Sequence, residues 1–233
     1  VSAIELMDRH YAGELGCDAG DLNSGRMVIV GSEKREIRFA KGSPLAVYAI
    51  AKASGTVLSV RPRIRDAVNA IVGKMGACEL SDTVCDAIEA VVKPLVDVKF
   101  WFKGRRLYCE PGSFTDLRSG EVRVVTDYDE HAMMLHQKWG GEVFGQIVDE
   151  KVAAWAAVKP LSDVAWDLSI ETLPEYRGRG YAKSVVSAAV KYIFENDRLA
   201  AWGTDRDNIA SLRTAWAVGF VDYALDFGCV ESK

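Results

Sequence analysis

The chain has 233 residues, 49% of them hydrophobic and 27% charged, which is room for one large domain or two small ones around a substantial core. Its formal charge of -4, with both signs mixed along the chain, argues against nucleic acid as a partner, because phosphate binding needs clustered Lys and Arg. Cys17, Cys78, Cys85, Cys109 and Cys229 form no CxxC pair and no zinc-ligand spacing with His10, His131 or His136, so no metal is expected and the thiols read as reduced, in a cytoplasmic protein.

Near the start, Glu5, Asp8 and Arg9 interrupt any apolar signal region, and no stretch approaches the ~20 apolar residues that span a bilayer. No membrane association is expected. Ile4, Leu6, Met7, Tyr11 and Leu15 give a helical stripe over 4–15. A polar loop over 18–25 leads to strand candidates at 27–30, 36–40, 45–51 and 57–60. Helices are expected over 64–75 and from Ser81 to Pro94, where Asp82 and Thr83 open the first turn. Residues 98–107 read as two short strands turning at Lys103-Gly104. Beyond a loop over 111–120, a strand at 122–125 precedes a helix begun by Asp127 or Asp129 and running to about Trp139. A hairpin over 143–158 turns at Asp149-Glu150-Lys151, and a strand at 164–172 follows. Helix, strand, helix and strand then alternate over 181–195, 200–203, 209–218 and 221–227. Strands first and helices interleaved late predict an α/β or α+β fold with a mixed sheet. The expected division is 1–95 and 96–233.

The chemically informative segment runs from Ile170 to Ser184. A strand enters, Pro174 ends it, and Arg177-Gly178-Arg179-Gly180 opens a helix whose stripe is Ala182, Val185, Val186, Ala189, Val190, Ile193 and Phe194. Helix starts leave N–H groups free and partly positive, and glycines let backbone approach an anion. Arg177, Arg179 and Lys183 add formal charge. By itself such a turn reads as an ordinary surface turn with solvated arginines. A Walker A loop would need glycines where Ala182 and Arg177 stand. A dinucleotide fingerprint would need one where Lys183 stands.

Arg177-x-x-Gly180-x-Ala182 resembles the Arg/Gln-x-x-Gly-x-Gly/Ala signature of the GNAT superfamily of N-acetyltransferases, and it follows a strand and Pro-Glu-Tyr as in that family. Asn208-x-x-Ser211, Ala215 and Gly219-Phe220 resemble a second family motif, and the 143–158 hairpin resembles the family's second and third strands. The resemblance covers roughly 120–230. It implies a mixed, mostly antiparallel central sheet flanked by helices, with a smaller N-terminal α+β module before it. It also implies acetyl-CoA as acyl donor, held by Ile170, Thr172, Arg177, Gly178, Arg179, Gly180, Tyr181, Ala182, Lys183, Asn208 and Ser211. The reaction implied is direct attack of an amine, of a small molecule or a peptide, on the thioester.

Catalytic residues depart from the family pattern. The tyrosine that protonates the leaving thiolate in many members is Ala215 here; Tyr223 and Tyr181 lie nearby in sequence but off the motif position, and water is the other candidate for the acid. A glutamate common before the phosphate turn is Trp166 here. Asp167 and Glu171 share one face of that strand, and Glu171 is the preferred candidate for the base, although from the sequence a salt-bridged or edge-exposed acid is the better reading. Asp127, Asp129 and Glu130 read as helix-start acids favoured by the dipole. The departures keep open a non-catalytic acyl-CoA-binding or regulatory module, and a longer acyl chain. The N-terminal module resembles an extra region of some bacterial members, and shaping the acceptor pocket, a structural role and homodimer formation all remain open for it.

Overall fold

Residues 1–37 and 44–232 are described in a computed structural model of the chain, which divides into two units: Val1–Arg105 with Tyr223–Lys233, and Arg106–Asp222. The expected division at 95/96 differs from this because the strand after residue 97 runs on past 105 and the last strand returns to the first unit. The two units are of nearly equal length.

In the first unit, α1 (Ala3–Leu15) begins on a reciprocal cap: the Glu5 N–H donates to Ser2 Oγ at 3.3 Å, and the Ser2 N–H to Glu5 Oε2 at 2.7 Å. It ends at Gly16, whose left-handed backbone (φ 73°) suits glycine. Strand β1 (Met27–Gly31) pairs parallel with β3 (Gly55–Val60), which pairs antiparallel with β2 (Leu45–Lys52). The final strand, β10 (Val221–Glu231), lies antiparallel to β2, with Leu225 opposite Ala51. Helices α2 (Arg65–Met75) and α3 (Asp82–Val92) pack Ile64, Val68, Val72, Val84, Ile88 and Val92 against Leu58, Val60 and Phe227. Of the strand expected over 36–40, Glu36 closes a 3-10 turn, and residues 38–40 lie outside the described residues.

The expected hairpin at 98–107 is instead one strand, β4 (Val98–Cys109), continuous through Gly104. Lys103, taken as a turn residue, is held by α3: its Nζ lies 3.0 Å from Asp82 and 3.3 Å from Asp86. Such long-range pairing overrides the local turn preference of Lys-Gly.

A buried polar knot ties this unit together. Asp8 accepts from Lys52 Nζ at 2.5 Å, Tyr223 Oη at 2.6 Å and Asn23 Nδ2 at 2.8 Å. Burial by itself would raise the Asp8 carboxyl, but these three donors outweigh it and hold the group below its ordinary value.

The second unit is built on an antiparallel run of β5 (Glu121–Val124), β6 (Val143–Val148), β7 (Lys151–Lys159) and β8 (Ala165–Thr172), each paired with the next. Strand β9 (Leu199–Asp205) joins β8 in parallel through Ala165–Leu199 and Trp166–Ala200. The sheet is thus mixed and mostly antiparallel. The β6–β7 turn puts Asp149 and Glu150 at positive φ (48° and 63°), the twist that a two-residue hairpin favours. Helix α4 (Glu130–Trp139) starts on Asp129, whose Oδ1 accepts the Ala132 N–H at 2.9 Å. Helix α5 (Tyr181–Glu195) buries Val185, Val186, Ala189, Val190 and Ile193 against β7 and β8 residues such as Ala156, Val158 and Leu168. Its buried Ser184 and Ser187 accept the N–H groups of Ser119 and Leu117, each at 3.0 Å, which ties the 111–120 loop down. Helix α6 (Ile209–Val218) closes the unit, stopping at Gly219, where a side chain would run into the Ser113 carbonyl. Among the described residues, no helix is long and apolar enough to cross a membrane.

Two outcomes are expected of the fold. Ile193→Ala, at a fully buried site, should cost about 2–5 kcal/mol in urea unfolding, and a loss under ~1 kcal/mol would contradict the packing described. Because the folded-state pKa of Asp8 is depressed, its stabilisation is present above the ordinary carboxylate range and is lost as pH falls through the lowered value. Asp8→Asn should therefore flatten the acid side of the urea-midpoint profile. An unchanged acid slope would show that the knot does not carry it.

Candidate active site

Strand β8 is hydrogen-bonded differently on its two edges. The Leu173 N–H donates to the Ala153 carbonyl at 3.0 Å, and Trp155 stands opposite Glu171 in register. Successive residues of a strand point their N–H and C=O groups to alternate edges, so Ile170 and Thr172 face away from β7. On that side the parallel register with β9 ends at Trp166–Ala200. The two strands pair at their starts, and a wedge opens between them further along.

The wedge belongs to a cleft of about 820 Å³, walled by Ile170, Glu171 and Thr172 of β8, Trp202 of β9, the 173–183 turn, and Asn208, Ala210, Ser211, Arg213 and Thr214 at α6. Pro174–Tyr176 form a single 3-10 turn that swings the chain out of the strand. Gly178 (φ 77°) and Gly180 (φ 86°) then adopt left-handed backbone, and a Cβ on either would meet open space. Backbone conformation requires glycine at both positions, and both line the cleft. Helix α5 begins at Tyr181, and among the described residues no side chain caps its start. The first N–H groups of α5 are therefore available to an anion, with Lys183 and Arg213 on the same cleft.

Ten of the eleven residues expected to hold the acyl donor line this cleft: Ile170, Thr172, Arg177, Gly178, Gly180, Tyr181, Ala182, Lys183, Asn208 and Ser211. Arg177 Nε donates to the Thr172 carbonyl at 3.2 Å, bracing the turn against the strand. Arg179, the eleventh, stacks its guanidinium 5.5 Å from the Tyr176 ring. Asn208 caps α6, accepting the Ser211 N–H at 3.1 Å, and Ser211 Oγ accepts from Trp202 Nε1 at 3.1 Å. The second motif thus holds the β9 side of the cleft to the start of α6.

The three catalytic candidates fall in three different places. Glu171 lines the cleft, and its Oε2 lies 2.8 Å from His131 Nε2 on α4. Asp167 shares the parity of Glu171 but is buried near the other end of β8. There it accepts the Leu168 N–H at 2.5 Å and sits 3.7 Å from Arg106 and 3.8 Å from Lys159. It is a structural ion-pair centre, not a free base. Tyr223 belongs to the first unit, where its hydroxyl is spent on Asp8. Burial first, then the Asp8 carboxylate, push its phenol far above the ordinary range, the wrong direction for a proton donor. Ala215, in the place of the family tyrosine, is buried in the core.

Sequence reading gives no role in this cleft to His131, Trp155, Trp202 or Arg213. Only long-range strand and helix pairing gathers these residues. Trp155 Nε1 donates to Asp129 Oδ1 at 2.9 Å, so Asp129, expected as a plain helix-start acid, also anchors an aromatic side chain of the cleft wall.

Residues 107–220 match the model of the acetyltransferase (GNAT) family. Similar solved structures include a GNAT-family protein from Novosphingobium aromaticivorans, at 18% identity over 58% of this chain and 67% of that one, with a TM-score of 0.50. A GCN5-related N-acetyltransferase-like protein from Streptococcus suis matches at 15% identity over 86% and 87%, with a TM-score of 0.51. A GCN5-related N-acetyltransferase from Sphaerobacter thermophilus matches at 10% identity over 97% and 91%, with a TM-score of 0.50. At such identities the likeness is one of fold. No curated protein matches the sequence. The cleft, its two motifs and the family match converge: residues 107–220 are a GNAT acetyltransferase domain.

Proposed function

We propose that the chain transfers acetyl from acetyl-CoA to the amine of a small-molecule or peptide acceptor by direct attack. One observation carries the reading: the wedge-facing edge of Ile170 and Thr172 and the uncapped start of α5 border the same cleft. An extended amide chain suits the first, since it can pair with the strand edge as an added strand does. A pyrophosphate suits the second, where helix dipole and N–H groups favour an anion by about 0.3–2 kcal/mol. CoA carries both groups in one molecule, the pantetheine amides and the pyrophosphate.

In this reading the amine first gives a proton to Glu171, the carboxylate on the cleft wall. Its nitrogen then attacks the thioester carbonyl carbon. A backbone N–H on the wedge side, at Ile170 or Thr172, is placed to hold the developing oxyanion. As the C–S bond breaks, the adduct nitrogen loses its second proton, which a water relays to the departing CoA thiolate since Ala215 supplies none, and Glu171 returns its own proton to solvent. Proximity within the cleft supplies much of the remaining acceleration. The free thiols of all five cysteines suit a reducing, cytoplasmic setting for this chemistry.

The direct test is CoA thiol release when the full chain is mixed with acetyl-CoA and a panel of primary amines. Turnover with at least one amine is expected; tight acetyl-CoA binding without turnover on any would favour a non-catalytic acyl-CoA-binding module. Gly180→Asp should abolish acetyl-CoA binding in calorimetry, because it brings a negative charge to the anion site and puts an L residue at φ 86°, a backbone conformation that glycine adopts freely and aspartate does not. Binding equal to the parent's would remove the turn from the site. Glu171→Gln should lower kcat by about a hundredfold or more while acetyl-CoA affinity stays near the parent's. An unchanged kcat would discard Glu171 as base.

A further inference from the structure

We propose that His131 is a positioning residue for the acetyl transfer, holding the Glu171 carboxylate so that one of its oxygens is presented to the acceptor amine. This rests on the reading of Glu171 as base. The geometry is a short chain of contacts across three elements. Asp129, the N-cap of α4, accepts the Trp155 indole N–H at 2.9 Å and the Ala132 N–H at 2.9 Å. Trp155 is thereby fixed on β7, directly opposite Glu171 in the β7–β8 register. The His131 ring meets the Trp155 ring edge-on, with centroids 4.8 Å apart at 67°. From there its Nε2 reaches Glu171 Oε2 at 2.8 Å.

The chemistry settles the roles within that last contact. A carboxylate only accepts, so Nε2 carries the hydrogen and Oε2 is engaged. Oε1 is left to meet an ammonium in the cleft. A glutamate side chain has three rotatable bonds and, when unrestrained, samples many rotamers. Fixing it near the productive geometry removes that freedom before the reaction starts. Stability alone is a poor explanation of the contact. Side-chain exposures of 33% for His131 and 48% for Glu171 place the pair where ion pairs add little to folding. Trp155 and Asp129 restrain His131 as a second layer behind the acid.

The test compares four variants of the full chain, using the fastest amine from the panel as acceptor and CoA thiol release as readout. His131→Ala should lower kcat about tenfold to a hundredfold, with acetyl-CoA affinity and thermal midpoint close to the parent's. His131→Gln, whose amide N–H can still reach Oε2, should recover most of the loss. In a Glu171→Gln background, His131→Ala should cost little more, because the two act as a unit. An unchanged kcat in His131→Ala beside a damaged Glu171→Gln overturns the role of His131 and leaves the base standing. An unchanged kcat in Glu171→Gln overturns the base itself. Additive losses, or no rescue by Gln, would show that His131 acts other than through Glu171. Long-range ¹H–¹⁵N spectra of histidine-labelled protein in alkaline buffer give a readout that needs no acceptor. The His131 resonance, assigned by its loss in His131→Gln, should show the Nε2–H tautomer. The Nδ1–H tautomer would overturn the proposal.

Discussion

The second unit's chemistry depends on one mismatch in strand pairing. Strand β8 keeps its register with β7 from Lys159–Asp167 to Ala154–Thr172, but pairs with β9 only at Ala165 and Trp166. A sheet that paired fully on both edges would bury every backbone group of β8 and leave nothing to recognise a ligand. Parting β9 from β8 leaves the Ile170–Thr172 edge facing the cleft without giving up the antiparallel support behind it. The same parting opens the cleft toward α5, so the strand edge and the helix start face one volume.

Support for that opening is distributed rather than local. Helix α5 packs its apolar stripe on β7 and β8, and its buried Ser184 and Ser187 hold the 111–120 loop, so the helix cannot drift into the space it borders. On the other side, the Trp202–Ser211–Asn208 chain of hydrogen bonds fixes the start of α6 relative to β9. The turn between strand and helix is held at both ends: Arg177 returns to Thr172, and two left-handed glycines set the path into α5. Rigid walls reduce the ordering cost of binding a long, flexible ligand.

Much of this was legible in the sequence, and the legible parts share a cause. Helix α5 and helix α6 were placed within a residue of their observed bounds because their signals are local: an apolar stripe, a glycine pair at one start, an asparagine cap at the other. The turn residues that line the cleft are legible for the same reason, since they are contiguous in sequence. What escaped depends on pairing between distant segments. Lys103-Gly104 reads as a turn until Asp82 and Asp86 of α3 are seen to hold Lys103 within a strand. Asp167 and Glu171 have the same strand parity. Only the partners across β7, Lys159 for one and Trp155 for the other, separate a buried ion pair from a cleft-facing acid. His131 lies forty residues from Glu171, and no spacing rule connects them. Tyr223 looks near the second motif in sequence, but the chain has by then returned to the first unit, where Asp8 takes its hydroxyl.

In the proposed function the β8 edge and the α5 start hold one ligand together. Residue-resolved amide hydrogen exchange, with and without saturating acetyl-CoA, tests it most directly. Slowed exchange is expected at Ile170, Thr172 and the first amides of α5, with little change at Glu171, whose amide already faces β7. Protection at α5 alone, or at neither segment, would contradict it.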